Sequence, residues 1–316
     1  YDGVGRMVAA KHFVDGARTD GYTERGIRYD ANGNLLSISR TAGGAVSDSL
    51  RFTLGGDVLL DVSGTSTGVF EYDPSGNLVK DGLNRLEFSY NCLNLMQTVQ
   101  TTVGASKAQF TYGSDGRKLS EKAGTGGFEY LGSLIYAYRG GTLSLAQAVT
   151  DEGMIQSAGV NYFIRDHLGS VRAVVDHTGK IVERNDYYPF GGRHENSALS
   201  LSATNRYKFG GKETLEPVSL DMLDFGARFY DPRIARWNTQ DPLAEKYFSL
   251  SPYNYCAGNP ITLVDPTGMF MTDYFNLNGK KVRHVDDNKT DRYLVLTTSS
   301  QESIVDQTIE AGGMID

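Results

Sequence analysis

The chain has 316 residues, ample for one or two domains with a sizeable core, and sets 31 Lys and Arg against 38 Asp and Glu, a formal charge of -7. That acidic balance argues against nonspecific nucleic-acid binding, which needs many phosphate-neutralising cations. No apolar run is long enough to span a bilayer, and two cysteines, Cys92 and Cys256, make no disulfide framework.

Abundant Gly and Tyr beside few Pro suit short strands joined by tight turns. The chain opens on Tyr1-Asp2-Gly3-Val4-Gly5-Arg6, inside a repeat-like unit, and so reads as a piece of a longer or processed protein. The unit recurs as Tyr29-Asp30-Ala31-Asn32-Gly33-Asn34-Leu35, as Tyr72-Asp73-Pro74-Ser75-Gly76-Asn77-Leu78 and from Tyr112 to Leu119. Tyr90-Asn91-Cys92-Leu93-Asn94 falls between the last two. In each, an aromatic ends one strand, Asx and Gly permit positive φ in the turn, and the next strand begins directly after. Each unit predicts a β-hairpin, and hairpins must stack to bury their apolar faces.

From Tyr130 the run YLGSLIYAYRGGTLSLAQAV again reads as strands, as does NYFIRDHLGSVRAVVDHTGKIVERNDYYPFG over 161–191. Asp176-His177-Thr178-Gly179 predicts a hairpin turn. His194 to Asn205 reads as a polar surface loop. Asp-His adjacency at Asp166-His167 and Asp176-His177 suggests a triad fragment or metal site. Without a Gly-x-Ser-x-Gly elbow or a His-x-x-x-His pair, ordinary hairpin positions are the better reading. No cofactor or metal is expected, and Cys256 reads as a small buried residue.

The stretch 223–269 holds three Asp-Pro pairs, at Asp231, Asp241 and Asp265, and the only Trp, Trp237. Each pair marks a turn or the start of an element. ARFY and RWNT predict short strands. PLAEKYF predicts one short helix near Leu243–Phe248, with Asp241 as N-cap and Pro242 at the first helical position. DPTG predicts a turn. Beyond Met269 an Asn278-Gly279 hairpin, a strand from Arg292 and a short helix over Ser303–Ala311 are expected, too little for most independent enzymes.

GARFYDPRIARW, QDPLAEKY, SPYNYCAGNP and VDPTG resemble the core of Rhs and YD-repeat proteins, particularly the form in bacteria of the Bacteroides type. DHLGSVR and YYPFG match the same core. The resemblance implies an all-β fold: antiparallel YD-repeat hairpins (residues 1–160) spiral into part of a hollow shell. A small core with one short helix (161–269) closes it, and 270–316 is a variable tail or start of an effector. It further implies a secreted or surface-exposed polymorphic toxin that encloses and delivers its own C-terminal effector, with secretion machinery or an immunity protein as further partners.

In such shells aspartates of the core act as an autoprotease. Carried over, Asp241 and Asp265 are the candidate dyad, Arg228 or Arg236 its electrostatic partner, and Met269–Phe270 the bond cut, with Met269 where Leu is usual. Two close carboxylates cannot both ionise, so one keeps a proton as acid while the other activates water. Against this stand bland roles: a cap for Asp241, a turn for Asp265, and cation–π packing on Tyr or Trp for the arginines. Two other functions are weighed: an extracellular carbohydrate-binding or adhesion protein that stacks sugars on exposed Tyr and Trp, and, last, a self-contained hydrolase.

Overall fold

The computed structural model describes residues 1–194, 205–215 and 222–269, together with the backbone of two short strands, Arg292–Tyr293 and Met314–Ile315, which pair in parallel. The 195–204 part of the expected surface loop, the Asn278-Gly279 hairpin and the Ser303–Ala311 helix lie outside the described residues. Asn205, at the edge of that loop, is buried and hydrogen-bonded to Glu183.

Eighteen strands, from Ala10–Val14 to Ile181–Arg184, form one meander. Each pairs antiparallel with the next in the chain, the local-contact solution that hairpin-forming repeats favour. The strip passes position 160 without a break.

The repeat turn has one recurring geometry. At Asp30 and at Asp73 the residue's own N–H donates to the carbonyl four residues on, and the Gly N–H three residues on donates back. The side-chain Oδ1 accepts the N–H of the fourth residue, Asn34 or Asn77. Asn91, Asp166 and Asp176 repeat this arrangement, so the Asp of both Asp-His pairs holds a hairpin turn. The register shifts by one residue at each, at Tyr29, Tyr72 and Tyr90 for example, giving the bulge that lets a five-residue turn fit a twisted ladder. The repeat tyrosine is not interchangeable with Phe. Tyr90 OH donates to the Leu78 carbonyl and Tyr112 OH to that of Met96, each reaching the strand after the preceding turn. The ring packs inward while the hydroxyl links one unit to the last.

Residues 205–215 and 222–269 pack on the inward apolar row of the strip. Their small sheet comprises Glu213–Thr214, Leu223–Asp224, Phe229–Asp231 and Arg236–Trp237, so ARFY and RWNT do form strands. Trp237, Tyr230 and Tyr255 are almost wholly buried beside Phe110, Phe88 and Val99 of the strip. Tyr230 and Tyr255 stack at 4.1 Å, and Trp237 stands edge-on to Phe225 at 4.9 Å. The SPYNY segment seizes the repeat turns directly. Tyr253 OH donates to the Gly76 carbonyl at 2.7 Å, Asn254 Nδ2 to that of Gly33, and Ser251 N–H to that of Asn32 at 2.7 Å. A Cβ on Gly76 would lie 2.1 Å from Gln240 and 2.7 Å from the Tyr253 hydroxyl, so Gly there serves the docking as well as the positive φ.

The short helix expected near Leu243–Phe248 is a single 3-10 turn, Ala244–Lys246. Asp241 is not its N-cap, which is Leu243, and Pro242 precedes its first residue; Asp241 instead holds the turn ahead of it, through Leu243 N–H on Oδ1 and Ala244 N–H on its carbonyl. The chain cannot continue as a helix because Ser251 is tied to Asn32 and Pro252 to Asp241 N–H.

Candidate functional site

Three turns of the closing segment converge. Gly226, at φ +95°, reverses the chain between Leu223–Asp224 and Phe229–Asp231 and delivers Arg228. Asp241 follows Arg236–Trp237 and is held by its N–H on the Pro252 carbonyl at 3.0 Å. Asp265 opens the Asp-Pro-Thr-Gly turn. Its Oδ1 accepts the N–H groups of Thr267 at 3.1 Å, Gly268 at 2.7 Å and Met269 at 3.1 Å.

One nitrogen of the Arg228 guanidinium donates to Asp241 Oδ2 at 2.9 Å and to Asp265 Oδ2 at 3.2 Å. The two carboxylates are therefore brought together across a single guanidinium nitrogen. The rest of the guanidinium is also used: Nε donates to the Gly268 carbonyl, another nitrogen to that of Pro252 at 3.1 Å, and the plane lies 4.1 Å from the Trp237 ring. Arg228 combines the two roles weighed for it, ion pair and cation–π partner.

Arg236 is elsewhere. It lies over Tyr253 at 4.5 Å and donates to Asn34 and to the Asp57 carbonyl, so it ties the closing segment to the Tyr29 repeat and to the turn at Asp57. Met269 borders the dyad through its N–H on Asp265, and Phe270 lies outside the described residues.

The Arg228 and Asp265 side chains are 2 % exposed and Asp241 is 14 % exposed. Burial raises both aspartate pKa values above the ordinary carboxylate range while Arg228 opposes it, and burial lowers that of Arg228. Two carboxylates facing one cation leave an uncompensated negative charge if both ionise, and a proton held by the pair removes it. Asp265 accepts three backbone N–H groups on one oxygen and Asp241 one, with the Asp265 charge beside it, while burial, the largest cause of both shifts, is deeper at Asp265.

Sequence reasoning missed a second buried charge cluster. Lys118 Nζ lies 2.8 Å from Glu213 and 2.7 Å from Asp224, while Arg206 lies 2.7 Å from Glu121 and 3.1 Å from Glu213. It fastens the closing segment to the strip. The only local hint is that Glu121 pairs across from the core residue Phe110 and so faces inward. Among the described residues no group of His, Cys, Asp and Glu is arranged to hold a metal ion, and no helix is long and apolar enough to cross a membrane.

The chain is 25% identical over 312 residues to the double-stranded DNA deaminase toxin A of Burkholderia cenocepacia, covering 85% of this chain and 20% of that protein. It is 37% identical over 103 residues to salivary gland surface protein 1 of Aedes aegypti, 33% of this chain and 3% of that one. It is also 31% identical over 112 residues to toxin subunit YenC1 of Yersinia entomophaga, 35% and 11% respectively. The chain thus spans at most 20% of the length of these relatives. Among solved structures the crystal structure of TcdB2-TccC3-Cdc42 superposes with a TM-score of 0.61 at 20% identity, over 78% of this chain and 13% of that one. The Photorhabdus luminescens Tc holotoxin pore gives 0.61 at 18%, with the same coverage. These likenesses describe a YD shell of the kind found in toxins. The family model described as the teneurin YD-shell matches residues 1–255, the strip and the closing segment as far as Tyr255 and so short of Asp265, and the chain belongs to that family.

Proposed function

We propose that the chain is the closing portion of a secreted or surface-exposed toxin shell that encloses its own C-terminal segment and frees it by cutting Met269–Phe270. In this reading the strip is shell wall and continues past the expected boundary at 160 to Arg184, the segment from there to Met269 is the closing core, and 270–316 is the start of the cargo. Secretion machinery or an immunity protein would be further partners. The observation that carries the self-cleavage is the shared Arg228 nitrogen between Asp241 and Asp265, with Met269 N–H bound to one of the same carboxylates. Ionised Asp265 takes a proton from water as the water oxygen attacks the Met269 carbonyl carbon. Asp241 gives its proton to the departing Phe270 nitrogen, and the peptide bond breaks into a carboxylate and an amine.

The passive alternative also has support. Two of the three hydrogen bonds to Asp265 Oδ1, from Thr267 and Met269 N–H, match those of a repeat turn, so the residue has a structural use without any chemistry. Sugar stacking on Trp237 is disfavoured, since that ring is 1% exposed.

Intact mass of the expressed full-length protein decides between the readings. Self-cleavage predicts two fragments that meet at 269/270 in the wild type and one intact mass for Asp241→Asn and Asp265→Asn. An intact wild type, or a variant that still cuts, leaves a passive container.

A further inference from the structure

A cavity of about 820 Å³ opens beside the dyad, between the strip and the closing segment. Thr267 and Met269 form one wall, with Phe225 and Pro242, and Leu93, Leu119 and Leu131 come from the strip opposite. Those three leucines are 51%, 45% and 67% exposed, whereas Phe88, Ala108 and Phe110 of the strip are covered by the closing segment.

Its size is that of sites holding a drug-sized ligand, roughly 300–1,000 Å³, which is also room for several side chains of an extended peptide. The chain itself leads there. Met269 is on the wall, its N–H is fixed to Asp265 at 3.1 Å, and the next residues are Phe270-Met271-Thr272-Asp273-Tyr274-Phe275. Clustered exposed leucines mark an apolar partner, and an apolar stretch of the same chain is attached at the rim.

We infer that this cavity seats the segment immediately after Met269, with Phe270 and Met271 against Leu93, Leu119 and Leu131. It acts as the pocket, apolar along its leucines and edged by Asp115, Arg117 and Lys118, that holds the departing side of the scissile bond. As a pocket for a substrate this rests on the self-cleavage reading; as a seat for the segment it stands alone. Its consequence is that the shell selects the residues just past the cut by apolar character, whatever cargo is joined beyond them.

The test replaces Phe270 with the photocrosslinker p-benzoylphenylalanine in the full chain, in the wild type if it is intact and in Asp241→Asn if it cuts. After irradiation, crosslinks are expected on the peptides that carry Leu93, Leu119 or Leu131. Leu131→Asp, at a position exposed enough to spare the fold, is expected to lower their yield about tenfold or more by setting a charge in the pocket. Crosslinks to any other surface, to an added protein, or none at all overturn the inference, as does an unchanged yield with Leu131→Asp. An intact wild type that crosslinks in the cavity removes the self-cleavage reading and keeps the seat; a cutting wild type with no such crosslink does the reverse.

Discussion

Asp73 and Asp265 share two side-chain bonds to their turns, but Gly76 N–H donates to the Asp73 carbonyl and Gly268 N–H to Asp265 Oδ1, and their Oδ2 atoms take different partners. In Asp73-Pro74-Ser75-Gly76-Asn77 the Oδ1 atom accepts Ser75 and Asn77 N–H at 2.9 Å, and Oδ2 takes the Asn77 side chain. In Asp265-Pro266-Thr267-Gly268-Met269 the Oδ1 atom accepts Thr267 and Met269 N–H at 3.1 Å, but Oδ2 faces Arg228. With Met in place of Asn at the fifth position, the turn has lost its internal partner, and a buried guanidinium supplies the missing donor.

Asparagine at the two positions should therefore behave differently. In both turns it can still accept the backbone N–H groups. Asp73→Asn sets one neutral amide against another at a half-buried site, and a loss of about 1 kcal/mol is expected in denaturant unfolding. Asp265→Asn presents an amide donor to the buried guanidinium, and about 2–3 kcal/mol should be lost. Equal losses would mean that Arg228 contributes nothing to that turn.

Gly268 separates conformational cost from steric cost. Its φ is +75°, and an added Cβ would lie 3.1 Å from Arg228 N and 3.2 Å from Phe225 Cβ. Gly104 has a similar φ of +82° with open space around it. Gly104→Ala should cost about 1–2 kcal/mol, the left-handed penalty alone. Gly268→Ala should cost more and should also weaken the Arg228 contacts. Paired thermal melts at one pH measure the difference.

The hairpins were legible because their cause is local: an Asx side chain, a glycine at positive φ and a tyrosine all sit within a few residues. Asp241 and Asp265 were legible through the Asp-Pro turns that hold them. The hidden features depend on distance. Arg228 and Arg236 look alike in sequence, and only the docking of SPYNY onto the Gly33 and Gly76 turns sends Arg236 to Asn34 and leaves Arg228 with the acids. The Lys118 cluster joins residues about a hundred positions apart and has no local signature. The expected helix shrank to one turn because tertiary bonds at Ser251 and Pro252 outweigh the modest propensity of a few residues.

Asp231 should make stability fall as pH rises. Burial, and the Asp81 carboxylate nearby, push its pKa up from 3.8 to about 7. The folded state then binds a proton that the unfolded state has released between those values, so stability is full below about pH 4 and is lost on passing through about pH 7. The change for this one group is of order 4 kcal/mol. Asp231→Asn keeps the acceptor for Arg233 N–H at 2.8 Å and removes the titration. Urea midpoints at pH 5 and pH 8 should lie closer together in the variant than in the wild type.

Arg228→Met tests whether the guanidinium holds the two carboxylates or merely packs on Trp237. Methionine retains apolar contact with the ring but removes the cation. Asp241 and Asp265 then face each other with no positive charge between them, and both pKa values rise beyond where burial already sets them. Above the folded pKa values the buried charges go uncompensated, and a loss of about 3–5 kcal/mol is expected at pH 8. As pH falls through those values both acids take up protons, and near pH 4 only the lost packing and hydrogen bonds should remain, about 1–2 kcal/mol. The loss must therefore shrink on acidification; a loss of the same size at both pH values would reduce Arg228 to a packing residue. If the chain cuts itself, the singly protonated state of the pair moves up in pH with the acids, and any cleavage left in Arg228→Met should peak at higher pH than in the wild type.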